Sequence, residues 1–411
     1  MSVTDSPASS PCGQPARASQ TPLSPRLAQM PTYVFALLDD LKDQARARGA
    51  DLIDLGMGNP DQPTPAPIIE VMREALLNPE NHRYPHFKGK PAFRQAAVDW
   101  MARRYDARGL NPDTDIQPLI GSKEGLAHLS FAYADADACN IVHAPYYPVH
   151  TRATWLAGGH VYHQAMTAEN QYMPDPNSIP ADVAARARLY FVSYPNNPTA
   201  ATATRAYYER LVDYCRAHRL TLVSDLAYSE IAYDGYRPPS VLSIPGAKDV
   251  AVEFHSFSKS FNMAGWRIGF AAGNPDVIKA LYNVKTNLDY GVASAIQDGA
   301  IEAMTHGEAY LPAIVSTYQR RRDMMVEGFR ALGWTIEPPK ATMYLWFPIP
   351  DAFSDSMAWV RHLIETADVV VTPGVAFGEA GDRFFRVSLV SPEETLQRAL
   401  ARLREKGVSY G

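Results

Sequence analysis

Between about residue 92 and residue 310, short apolar runs alternate with stretches of helical pattern, and this alternation restricts the chain to few architectures. The expected strands are Cys139–His143, His160–His163, Leu189–Val192, Leu220–Asp225, Val250–His255 and Arg267–Ala271. Helices are expected over 123–134, 204–218, 275–287 and 293–305. Strands separated by helix-length crossovers pair in parallel, so the pattern predicts a mostly parallel sheet with helices on both faces. The final third reads differently. A long helix near 309–332 leads into expected strands Trp334–Glu337, Met343–Phe347, Val369–Thr372 and Phe385–Leu389, with helices near 356–366 and 392–405. That is an α+β unit.

The expected division is a disordered leader over 1–24, an N-terminal segment over 25–64 packing with the small domain, a large domain over 65–308 and a small domain over 309–411. The leader is Ser-, Pro-, Thr-, Gln- and Ala-rich and carries too little apolar surface to offset chain entropy. An amphipathic helix begins within Ala28–Lys42. Asp51–Pro60 reads as a strand entering a Gly/Pro loop, and Pro67–Leu76 as a helix.

With 46% hydrophobic and 20% charged residues and a net charge of −5, the composition is that of an ordinary globular protein and offers nothing to nucleic acid or an anionic membrane. No run of about 18 apolar residues exists to span a bilayer, and no secretory signal opens the chain. Cys12, Cys139 and Cys215 have neither disulfide nor metal spacing, so they are expected as free thiols in the cytoplasm, with no metal site.

Three strand ends carry the chemistry. Lys259 follows the run Val250–Phe254 and lies among Ser256, Ser258 and Ser260, with Arg267 eight residues on. Taken alone, such a lysine is usually a solvated surface group. Hydroxyls with a guanidinium form a cage for a phosphate dianion, and a lysine amine condenses with an aldehyde, the reaction pyridoxal phosphate exploits. Asp225 ends another run, with Tyr228 three residues on. A carboxylate there would hold a proton on a pyridine nitrogen, and the tyrosine would reach the ring hydroxyl. The competing reading is a helix cap beside a core tyrosine. Asn197, in Asn196-Asn197-Pro198-Thr199, either sits in a plain turn or bonds the same ring oxygen. Ser122 and Lys123 open a helix whose N-terminus attracts anions. Tyr147 either stacks on the ring or is an ordinary loop aromatic. Arg386, between Phe385 and Val387, either grips a substrate carboxylate or lies on a strand surface.

Together these residues resemble a known family. From about residue 27 to the end, the chain is similar to fold-type I, class I/II pyridoxal-phosphate aminotransferases. Ser256–Gly269 carries the likeness most specifically, with Gly121–Leu129 and Lys340–Trp346 pointing first to bacterial glutamate–pyruvate (alanine) aminotransferases and then to LL-diaminopimelate aminotransferases. The resemblance implies an α/β fold with a large, mostly parallel sheet domain and a small α+β domain. It implies Lys259 as Schiff-base lysine and proton shuttle, Ser256 and Arg267 on the phosphate, and Arg386 on the substrate carboxylate. It also implies a homodimer in which Tyr84 reaches the neighbouring subunit's phosphate site, and Tyr33 and Gly58 near the substrate. Many relatives carry glycine where this chain has Ala200. The fold also serves lyases and synthases, and regulator modules that carry an extra DNA-binding domain.

The substrates implied are an amino acid and a 2-oxo acid. Dicarboxylate-specific relatives use a second arginine, and Asn283–Ser294 has none; its Lys285 reads as a helix-face residue. L-alanine with 2-oxoglutarate is therefore the expected pair, and LL-diaminopimelate with 2-oxoglutarate the second.

Overall fold

The computed structural model describes residue 21, residues 23–28, residue 30 and residues 34–410. Most of the expected leader, including Cys12, lies outside these residues, as does Tyr33.

Among the described residues there are twelve short strands, in chain order: β1 (Ile53–Asp54), β2 (Ile116–Leu119), β3 (Cys139–Ala144), β4 (His160–Ala165), β5 (Ala187–Ser193), β6 (Thr221–Asp225), β7 (Ala251–Ser256), β8 (Gly269–Gly273), β9 (Tyr344–Pro348), β10 (Val369–Val370), β11 (Thr372–Pro373) and β12 (Phe384–Ser388). Seven form one sheet in the order β2-β8-β7-β6-β5-β3-β4. β4, β3, β5, β6 and β7 run parallel, and β8 is antiparallel to both β7 and β2.

The central strands are apolar throughout because both faces are covered. In β5, Leu189 and Phe191 join one core with helices Ser122–Tyr133 and Pro275–Leu288, while Tyr190 and Val192 join another with Pro91–Tyr105 and Arg205–His218. A separate core lies around β9, β12 and the helices Ser356–Ala367 and Glu393–Glu405.

Three expectations change. The helices read as 293–305 and 309–332 are one helix, Ser294–Ala331, and the boundary placed at residue 308 falls inside it. Gly307, in the gap between the two, looks like a break in the sequence. Instead, a Cβ at Gly307 would lie 2.6 Å from the Phe261 ring, so the glycine permits close packing, and Pro312 is carried within the helix. Trp334–Glu337 forms no strand. Trp334 is a core anchor, packed on Phe329 and Phe347, with its indole N–H donated to Pro348 O at 2.9 Å. β2 was not anticipated, because Pro118 argues against a strand; it sits at the sheet edge, where proline is tolerated.

Lys285 lies on helix Pro275–Leu288 as read, but it is fully buried rather than on a solvated face. Its ammonium contacts Glu124 and lies 3.1 Å from Asp289 Oδ1. Burial raises the Glu124 carboxyl above its ordinary value, against the pull of Lys285. Removing the cation strands two acidic groups, so Lys285→Met is expected to cost about 3 kcal/mol, and adding Glu124→Gln to restore part of it. Thermal unfolding of the two variants checks this; an unchanged Tm in Lys285→Met contradicts it.

Candidate active site

The site forms where parallel strands end, the edge at which open α/β sheets present ligand-binding groups. Ser193, Asp225 and Phe254 stand side by side in β5, β6 and β7, so the segments leaving those strands converge. These segments supply Asn197, Tyr228 and Lys259.

Asp225 is almost wholly buried. His150 Nε2 donates to its Oδ2 at 3.1 Å, and the His150 ring stacks on Phe191. The other oxygen, Oδ1, is buried without a protein partner. Isolated carboxylates are costly inside proteins, so an oxygen left open in this way suits a protonated ring nitrogen.

Beyond β5, Asn196 builds the turn, its Oδ1 accepting from Thr199 N at 3.0 Å and Thr199 Oγ1 at 2.8 Å. Ala200 completes it at φ +59°, where glycine would be unstrained. The turn leaves Asn197 facing the cavity, its Oδ1 accepting from Arg386 Nη1 at 2.7 Å. Tyr228 is buried, with its hydroxyl 2.9 Å from that of Tyr344.

Lys259 lies on the single turn Phe257–Ser260, which Ser256 caps by accepting the Ser258 N–H at 3.3 Å. Its Nζ donates to Gly58 O at 2.5 Å. Burial pulls the Lys259 pKa below the ordinary lysine value; Tyr344 opposes this, and Arg386 and Arg267 add to it. A larger share of this amine is therefore neutral at a given pH, as a proton acceptor requires.

Around the lysine lies an anion cradle. Helix Ser122–Tyr133 starts after Gly121, at φ +72°, and presents Ser122 and Lys123. A Cβ on Gly121 would lie 2.5 Å from Arg267 Nη2, so glycine lets the guanidinium approach the helix start. Arg267 itself adopts φ +53° and donates to Ala264 O at 2.8 Å. Burial lowers the Lys123 pKa, and Arg267 and Arg152 lower it further. The helix N-terminus, the hydroxyls of Ser122, Ser256 and Ser258, and these cations match a phosphate dianion.

Arg386 projects from β12 and is buried. Its Nη2 donates to Gly56 O at 2.7 Å and lies 3.2 Å from Thr372 Oγ1, while Nε has no partner. The guanidinium lies over the Tyr344 ring, at 4.1 Å, and near the Phe377 ring, at 4.8 Å. None of these contacts is a carboxylate, which leaves the charge for an incoming anion.

Ser122, Lys123, Tyr147, Asn197, Asp225, Tyr228, Ser256, Ser258, Lys259, Arg267, Arg386 and Gly58 all line one cavity of about 430 Å³. Tyr84 is not among them: it is 81% exposed and stacked on Tyr290 at 4.5 Å. Sequence reasoning missed His150, Tyr344, Thr372 and Phe377. The first lies 75 residues from its partner Asp225, and no local pattern links them. Tyr344 lies within the Lys340–Trp346 segment, which carried family likeness without a role. The open Asp225 oxygen, the anion cradle and the buried amine fit pyridoxal phosphate.

The family model described as aminotransferase class I and II matches residues 50–403. LL-diaminopimelate aminotransferase 2 of Nostoc sp. is 47% identical over 385 residues, covering 94% of this chain and 98% of that protein. LL-diaminopimelate aminotransferase of Moorella thermoacetica is 46% identical, covering 92% and 97%. Among solved structures, substrate-bound BacF of Bacillus subtilis superposes with a TM-score of 0.90 at 34% identity, covering 95% of this chain and 99% of that one. A variant of Thermus thermophilus aspartate aminotransferase gives 0.88 at 29%, covering 94% and 100%.

The close fit of cradle to sheet yields a test. A Cβ on Gly269 would lie 2.5 Å from His255 O and 3.1 Å from Ser122 N, both backbone atoms that cannot swing aside. Gly269→Ala is therefore expected to destabilise the protein by about 1–3 kcal/mol. A Tm equal to that of the parent in a thermal melt contradicts the packing.

Proposed function

Because the chain belongs to the class I and II aminotransferases, a family that uses pyridoxal phosphate, we propose that it moves an amino group from LL-diaminopimelate to 2-oxoglutarate, giving glutamate and the corresponding 2-oxo acid. The observation that carries this choice over alanine is a second cavity of about 390 Å³. It shares Lys123, Tyr147, Asn197 and Arg386 with the first and continues past them along Phe35, Ala127, Phe131 and Leu156 to Arg152. An alanine methyl needs no such space. A four-atom reach from the α-carbon with a charged amino-acid end does, and Arg152 offers a cation on the wall. The relatives of 44–47% identity bearing the diaminopimelate name support the same choice.

Bound here, pyridoxal phosphate supplies an aldehyde carbon and an electron-withdrawing ring. Asp225, its carboxylate fixed by His150, would hold the proton on the ring nitrogen. Asn197 and Tyr228 would bond the ring oxygen, and Tyr147 would cover the ring. Ser122, Lys123, Ser256, Ser258 and Arg267 would hold the phosphate. Arg386 orients the donor through its α-carboxylate. Lys259, as a neutral amine, would take the proton from the donor's α-carbon and, once protonated, give it back as the amino group is transferred. In the homodimer we infer, exposed Tyr84 lies where a partner subunit can meet it.

Lys259→Ala is expected to lower turnover by at least about a thousandfold, since a proton carrier and its attachment point are lost together. Near-wild-type rates refute its role. Donor choice is read from the half-reaction, by the loss of visible absorbance on adding single amino acids. LL-diaminopimelate is expected to exceed alanine at least about tenfold in rate over affinity, a difference of about 1.4 kcal/mol. Strong alanine activity beside none for LL-diaminopimelate reverses the assignment.

A further inference from the structure

Tyr344 carries none of the roles assigned above, yet it touches the holders of three. It opens β9 on the C-terminal sheet and is buried. Its hydroxyl is 2.9 Å from the Tyr228 hydroxyl, and the two rings meet edge to face at 5.4 Å. Its ring lies under the Arg386 guanidinium at 4.1 Å. Its hydroxyl also fills the space beside Gly58, where an added Cβ would collide with it, and Gly58 O is the acceptor for Lys259.

We propose that Tyr344 is a positioning residue whose hydroxyl donates to the Tyr228 oxygen, aiming the Tyr228 proton at the ring oxygen of the cofactor, while its ring supports Arg386. The direction follows from what each hydroxyl must do. Tyr228 has one proton, and its role toward the ring oxygen uses it, so its own oxygen is left to accept. A phenol that accepts a hydrogen bond is a stronger donor in turn. Burial keeps the Tyr228 proton in place by raising its pKa well above the ordinary value, against the pull of Arg386. The charged and titratable groups facing this pair are Arg386 and Tyr147 toward Tyr228, and Lys259 and Tyr318 toward Tyr344.

The inference rests on the assignment of Tyr228 to the ring oxygen and is independent of which amino acid is the donor. Hydrogen bonds to that oxygen lower the pH at which the lysine-linked chromophore loses its proton, so weakening them raises the midpoint of its visible absorbance change. In the holoenzyme, Tyr344→Phe is expected to raise that midpoint by about half a unit, less than Tyr228→Phe does. KM for the amino donor stays within about twofold, because the ring remains under Arg386. Tyr344→Leu removes the ring as well and raises KM by about two- to fivefold. Gly58→Ala, which displaces the hydroxyl without altering Tyr344, is expected to raise the midpoint as Tyr344→Phe does, and it serves should that variant fail to fold. A midpoint unmoved in Tyr344→Phe but raised in Tyr228→Phe overturns the relay alone. A midpoint unmoved in Tyr228→Phe overturns the assignment and the relay together. A lower Tm with no midpoint change marks Tyr344 as merely structural and also overturns the proposal.

Discussion

Asp225 is held inside the protein at the last position of β6, with His150 on one oxygen and no protein donor on the other. A buried carboxylate of this kind is expensive, and an interior that keeps one must have a use for its charge. Its position is set by the sheet. Parallel pairing of β5, β6 and β7 brings Ser193, Asp225 and Phe254 level, so the segments bearing Asn197, Tyr228 and Lys259 leave the same edge together. Those strands are apolar along their length and buried on both faces, so the sheet that sets this register lies in the core.

The second constraint joins the C-terminal sheet to the large one. Arg386 reaches from β12 to Asn197, beyond β5, and to Gly56, beyond β1, with Tyr344 beneath its plane. Planar guanidinium geometry is used three ways at once: two hydrogen-bond donors fixed in direction and a face packed on an aromatic ring. What remains is positive charge without a carboxylate. The groups proposed to hold the cofactor and the arginine proposed to hold the substrate are thus tied to each other through neutral atoms, which keeps the arginine oriented while leaving its charge for a ligand.

The central strands were legible because a strand covered on both faces must be apolar along its whole length, and short apolar runs bounded by turns show that plainly. Where sequence and structure part, a local signal was outweighed by packing. Pro118 concealed an edge strand, Gly307 suggested a break in a helix held by its neighbours, and Trp334 suggested a strand where it is a core anchor. In the site, the residues at strand ends were readable since their chemistry is local: a lysine among serines, an aspartate ending an apolar run. His150 and Tyr344 were not, because each acts on a group far away in the chain, through a contact only the fold creates. Lys285 shows the same limit, its place on a helix visible and its burial between two carboxylates not. Substrate choice lay furthest from reach, since the proposed donor is read from a cavity assembled from helix faces, with Arg152 at one wall.

Lys259 is the amine we propose to meet the cofactor at this strand edge, although Lys123 lines the same cavity. Borohydride reduction of the holoenzyme, followed by peptide mapping, distinguishes them directly. The pyridoxyl group is expected on the peptide containing Lys259. Recovery of the label on Lys123 or any other lysine would contradict that assignment and the chemistry built on it.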